Sequence, residues 1–157
     1  MKVNVDVENV SSYEDIPDQT CFHQWVSASL SNYKNSAEVA IRIINEDESA
    51  KLNYRFRKKD YATNILSFPA DLPKSLNFPL LGDLAICVQV VIREAIEQNK
   101  EVNAHWAHMI VHGSLHLIGY DHEDDLAAKN MEALEIKILG DLNFPSPYIN
   151  IGDINNS

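Results

Sequence analysis

The stretch His112-Gly113-Ser114-Leu115-His116-Leu117-Ile118-Gly119-Tyr120-Asp121-His122 decides how the rest of the chain is read. His112 and His116 are four residues apart, about 6 Å along a helix axis, so their imidazoles share a face and can converge on one ion. A third histidine at the next step of four would lie about 12 Å from the first, out of reach of the same ion. The third ligand must therefore come from a chain that has turned back. Gly119 supplies the turn, since a residue without Cβ can end the helix in the left-handed region and bring His122 round. Three imidazoles leave a fourth position open, which is the arrangement of a catalytic rather than a structural zinc site. The spacing therefore predicts one Zn²⁺ per chain, held by His112, His116 and His122.

The same spacing occurs in the metzincin motif His-Glu-x-x-His-x-x-Gly-x-x-His, whose Glu is the general base. Position 113 is Gly in this chain, with no side chain to take a proton. A zinc peptidase or amide hydrolase therefore ranks as an alternative. Asp121, beside the last histidine, reads equally well as a carboxylate orienting an imidazole or as a helix cap. His105 and His108 share the helix but not the convergence, and with His23 they read as structural.

Working outward, the histidine helix spans about Val102 to Ile118. Before it, Val88, Val91, Ile92, Ala95 and Ile96 repeat at helical spacing to about Asn99; after it a helix covers about Asp124–Leu139, with Gly140 in the position of a C-cap. Upstream, Val3, Val5 and Val7 alternate as in a half-buried strand over 2–8, and Phe22, Trp25, Val26 and Leu30 mark a helix over about 18–31. Glu38–Ile44, Asn64–Phe68 and Asp83–Cys87 read as further strands, and Asn45 to about Arg57 as a helix with acids in its first turn. Residues 70–80, which follow Pro69 and carry Pro73 and Pro79, read as a loop. The expected fold class is α+β: a single domain over 1–145 with a mixed sheet of about four strands covered by helices, a zincin-like metal helix, and a frayed tail over 146–157.

A chain of 157 residues suits one domain with a core that needs no cross-link. Cys21 and Cys87 are too few for a disulfide framework and read as buried thiols in a reducing compartment. The alternating N-terminus has no apolar core of a signal peptide, and no apolar run approaches the ~18 residues of a membrane span. The expectation is a cytoplasmic protein without a membrane partner. A net charge of −10, from 13 Lys+Arg against 23 Asp+Glu, argues against a general nucleic-acid binder. The charge is uneven, however. Nine acids precede residue 50 and seven lie in 121–141, while Lys51, Arg55, Arg57, Lys58 and Lys59 cluster with no acid among them. Such a run is either a solvated helix face or a phosphate-binding edge.

Residues 112–122 resemble the signature of the YbeY family of bacterial metal-dependent endoribonucleases. Further matches are Leu52-Asn53, Arg57-Lys58-Lys59-Asp60, Thr63-Asn64-Ile65-Leu66-Ser67-Phe68-Pro69, Leu81-Gly82-Asp83-Leu84-Ala85-Ile86-Cys87 and His105-Trp106-Ala107-His108, so the likeness spans roughly 38–140. Family members often carry Arg-Gly-Lys-Asp where this chain has Arg57-Lys58-Lys59-Asp60, and Lys59-Asp60 sets the register on Arg57.

The resemblance implies zinc on His112, His116 and His122, and Arg57 as the functional arginine beside the metal cleft. It also implies a role in 3′-end maturation of small-subunit ribosomal RNA and in ribosome quality control. The implied partners are single-stranded and ribosomal RNA, ribosomal proteins and a ribosome-assembly GTPase. On this reading zinc acidifies water or polarises a phosphoryl oxygen, Arg57 stabilises the charge of the transition state, and Arg55, Lys58 and Lys59 hold substrate phosphates. Water and the RNA 2′-hydroxyl are both open as nucleophile. Asp83 either positions substrate or caps a turn. The non-enzymatic alternative is an assembly factor whose zinc clips the C-terminal helices together.

Overall fold

In the computed structural model, which describes residues 2–33, 36–70 and 79–148, the alternation of Val3, Val5 and Val7 becomes strand β1 (Val3–Asn9). Its valines lean on the core while Asn4, Asp6 and Glu8 face solvent. Helix α1 (Gln19–Ser29) follows, capped by Asp18, whose carboxylate accepts from the Cys21 N–H at 3.0 Å. Strand β2 (Ala37–Ile44) leads into α2 (Glu46–Arg57), which has Glu46, Asp47 and Glu48 in its first turn and Arg55 and Arg57 in its last. That distribution complements the helix dipole at both ends. Strands β3 (Ile65–Pro69) and β4 (Leu80–Cys87) come next, then α3 (Val88–Glu97), α4 (Val102–Leu117) and α5 (Asp125–Asp141).

The four strands form one mixed sheet in the order β1-β2-β4-β3. β1 and β2 are parallel, as are β2 and β4, while β3 runs antiparallel to β4 on the sheet edge. β2 alternates, with Val39, Ile41 and Ile43 buried on one face and Glu38 and Arg42 exposed on the other. Ile41, Ile43, Leu84 and Ile86 point into the main core with α1 and α4, where Phe22, Trp25 and Trp106 meet edge to face. Ile44, Leu66, Ala85 and Cys87 point the other way, into a smaller cluster under Leu52 of α2. The result is a single α+β domain, as the periodicities predict.

α4 is buried nearly all round, packed by α1, β3, β4, α3 and α5. Gly113 is where it comes closest to the sheet: a Cβ there would lie 2.8 Å from Ile65 Cδ1 and 2.9 Å from Leu84 Cδ2. The missing side chain lets the histidine helix settle onto β3 and β4, and the Ser67 hydroxyl fastens the contact by donating to the Gly113 carbonyl at 3.2 Å.

Two expectations are corrected. Gly140 does not cap α5; the helix runs through it to Asp141, and Asn143 takes the left-handed conformation at φ 70°. Asn tolerates that region because its side chain can hydrogen-bond locally. β4 begins at Leu80 rather than Asp83, because pairing of Gly82 with Pro69 extends the ladder. Beyond α5 the Tyr148 hydroxyl donates to Glu135 and ties the chain back to that helix. Most of the expected 70–80 loop, and the tail from 149 on, lie outside the described residues.

Candidate metal centre and cleft

Two local structures place the three histidines. α4 sets His112 and His116 one turn apart, with their Nε2 atoms 3.1 Å from each other. The helix then ends in a Schellman turn: the Gly119 N–H bonds the His116 carbonyl and the Tyr120 N–H bonds the Leu115 carbonyl, both at 3.1 Å. Gly119 has φ +105°, where a Cβ would be strained. The turn carries His122 back, so its ring lies 5.7 Å from His112, nearly parallel, and 5.2 Å from His116. One ligand atom from each of the three residues lies within 4.8 Å of the others.

The outer nitrogens are already committed. His112 Nδ1 donates to Glu135 Oε2 at 2.8 Å, and His116 Nδ1 donates to the Tyr120 carbonyl at 2.8 Å. Each Nδ1–H leaves a lone pair on Nε2, so at 3.1 Å two lone pairs face each other. That approach is repulsive unless a cation sits between them. Burial, then the neighbouring His112 imidazole, pushes the His116 pKa down, which favours the neutral ligand form. The donor set, three imidazoles with a carboxylate orienting one of them, suits Zn²⁺.

Glu135 of α5, fully buried, is the residue that sequence reasoning missed. Burial alone would raise its pKa, but hydrogen bonds from His108, His112 and Tyr148 outweigh it and hold the carboxyl at about 2. The carboxylate is therefore a fixed negative charge behind His112. His108 Nε2 lies 3.3 Å from Glu135 Oε1, so the grouping of His108, His112 and Glu135 is joined by hydrogen bonds and needs no ion of its own. The signal in the sequence was a lone acid at i+4 from Met131 on a stripe that continues to Ile138. Tyr148 is exposed overall, but partial desolvation of its phenol and the hydrogen bond it donates to this carboxylate push the phenol above its ordinary range.

The remaining histidines are structural, as expected from the sequence. His105 Nε2 meets Glu94 at 2.9 Å and His23 Nε2 meets the Val3 carbonyl at 2.9 Å. Asp121 takes neither role offered to it: its carboxylate accepts from the Glu123 N–H at 3.2 Å, while Asp124 caps α5. Asp83 is exposed on the sheet face opposite α4 and does not line the histidine cleft.

The histidines open onto a cleft of about 680 Å³ whose far wall is Thr63–Pro69 and whose rim carries Phe56 and Arg57. Arg57 is the last residue of α2, and among the described residues no carboxylate pairs with it. It is thus a free guanidinium at the mouth of the cleft. Arg55, Lys58 and Lys59 do not line the cleft, though they share the end of α2. Arg55 stacks over Phe56 and the Lys58 ammonium lies over Tyr54. Lys58 adopts φ 60°, a left-handed position that glycine takes without strain.

Fold and site together define a small α+β domain with a three-histidine group, able to hold a metal ion, at the end of a buried helix. The family model for endoribonuclease YbeY matches residues 6–143. A relative from Nitrosococcus oceani described as endoribonuclease YbeY is 49% identical over 150 residues, 94% of this chain and 98% of its own. One from Pseudomonas savastanoi with the same description is 52% identical over 140 residues, 88% of this chain and 84% of its own. The solution structure of TM1509 from Thermotoga maritima superposes with a TM-score of 0.56 at 20% identity, covering 90% of this chain and 91% of that one, and shows the shared fold. The chain belongs to the endoribonuclease YbeY family.

Proposed function

We propose that this chain is a metal-dependent endoribonuclease that cuts single-stranded RNA and acts in 3′-end maturation of small-subunit ribosomal RNA and in ribosome quality control. One observation carries the reading: three imidazoles, each with a ring nitrogen within 4.8 Å of the others, share a cleft with a guanidinium that no carboxylate among the described residues pairs. His112, His116 and His122 would hold one Zn²⁺, and the chemistry it supplies is Lewis acidity toward a phosphoryl oxygen and acidification of water.

The chain's own residues do the rest. Glu135 and the Tyr120 carbonyl keep the His112 and His116 rings in register. Arg57 grips nonbridging phosphate oxygens and stabilises negative charge as it grows in the transition state. Arg55, Lys58 and Lys59, just outside the cleft, hold flanking phosphates. Peptide hydrolysis is disfavoured at Gly113, which lacks a base and packs against Ile65 and Leu84, away from the cleft lining.

With so few cations on a −10 chain, affinity for free RNA is weak and salt-sensitive. Ribosomal proteins and a ribosome-assembly GTPase would deliver the substrate in the cytoplasm. No described helix is long and apolar enough to cross a membrane. The test is cleavage of precursor small-subunit RNA, free and within ribosomes, by wild type and His116→Ala. Wild type cuts and the variant does not; equal cleavage by both would exclude the site.

A further inference from the structure

Phe56 and Tyr120 both line the cleft of the three histidines, from separate elements. Both are exposed, at 57% and 40% of their surface. Neither ring contributes to the two core clusters. Phe56 is nevertheless held in place. Its ring meets Phe68 edge to face at 5.0 Å, and the Arg55 guanidinium lies 5.4 Å from its centroid. Tyr120 has its backbone fixed on both sides, by the N–H to Leu115 and by the carbonyl that takes the His116 proton. Two anchored aromatics thus share one cleft with the Arg57 guanidinium, which no carboxylate among the described residues pairs. Their chemistry fits the flat π-face of a nucleobase whose phosphate lies on Arg57.

We propose that Phe56 and Tyr120 each stack an unpaired nucleobase at the cleft, and that this stacking is what makes the site select single-stranded RNA. The proposal rests on the nuclease reading above. In a duplex the bases are paired and stacked on one another and present only groove edges and backbone, so neither ring would find a partner. A single strand can splay its bases onto both. Stacking on an aromatic is tolerant of base identity, so these residues select strandedness rather than sequence.

The test measures binding by fluorescence anisotropy at low salt, using zinc-loaded full-length protein. One probe is a labelled single-stranded 2′-O-methyl oligoribonucleotide, and the other is the same backbone with abasic positions throughout. Phe56→Ala and Tyr120→Ala should each weaken binding of the first probe by about 5- to 150-fold, the range expected for loss of one stacked base, and leave the second unchanged. Arg57→Ala should weaken both probes alike. Unchanged binding of the first probe by both aromatic variants would overturn the proposal, and so would an equal loss on the two probes. Cleavage of unmodified RNA by wild type, run in parallel, keeps the two readings apart. Intact cleavage with unaffected aromatic variants sinks the stacking alone, whereas absent cleavage sinks the nuclease reading.

Discussion

Glu135 Oε2 lies 2.8 Å from His112 Nδ1, joining α5 to the histidine face of α4 across 23 residues of sequence. The bond settles which nitrogen of His112 faces the cleft, and it places a buried negative charge behind that ring. A carboxylate so placed raises the basicity of the imidazole and fixes its orientation. Replacing Glu135 by Gln should lower zinc affinity about 10- to 100-fold. Competition against a chromogenic chelator reads this directly, and an unchanged affinity would remove Glu135 from the site.

Gly113 gives a prediction about chemistry and stability together. Gly113→Glu recreates the zinc-peptidase pattern in sequence, yet its Cβ would already meet Ile65 and Leu84 under 3.0 Å. Overpacking of this kind costs about 1–3 kcal/mol, and burying the carboxylate adds to it. Urea unfolding should show at least that loss, with no hydrolysis of casein. A stable variant that cleaves casein would revive the peptidase reading.

Much of the site was legible in sequence because its determinants are local. The steps from His112 to His116 to Gly119 to His122 encode a helix turn, a Schellman stop and a return, each a short-range event. Glu135 was not legible, because what makes it functional is the packing of α5 against α4, and no local pattern names its partner. The same limit explains Gly140 and Asn143, both plausible stops within four residues, between which only the packed length of α5 decides. Arg57 lies between these cases: the register of Lys59-Asp60 singled it out of the basic run, and the fold then puts its side chain on the cleft while Arg55 stacks on Phe56.

Lys58 carries a backbone cost that the fold identifies. At φ 60° a residue with a Cβ is disfavoured by about 1–2 kcal/mol relative to the right-handed region, and glycine is not. Lys58→Gly should therefore stabilise the protein by up to about 1 kcal/mol, the gain being partly offset by glycine's greater freedom in the unfolded chain. Thermal unfolding should show a small rise in Tm; a clear fall would mean that the Lys58 contact with Tyr54 outweighs the strain.

A pH dependence follows from Glu94. Burial pushes its carboxyl up, but hydrogen bonds from His105 and Asn64 and the charges of His105 and Lys100 more than compensate, leaving its pKa below the ordinary value. A depressed carboxyl contributes stability that is full above its unfolded pKa, about 4.3, and is lost as pH falls through its folded value. Glu94→Gln should thus be destabilised by about 1–3 kcal/mol at pH 7, and the gap to wild type should close below about pH 4. Denaturant unfolding at pH 7, 5 and 3.5 checks the sign; a gap that widens with acid would contradict it.

On the reading proposed above, the cleft between the three histidines and Arg57 cuts RNA with a bound metal. The most direct measurement is the rate of precursor small-subunit RNA cleavage by the wild-type protein as purified, after chelation, and after zinc is restored. The protein should cleave as purified, lose cleavage on chelation and regain it with zinc. Cleavage that persists at full rate in protein shown to be metal-free would contradict it.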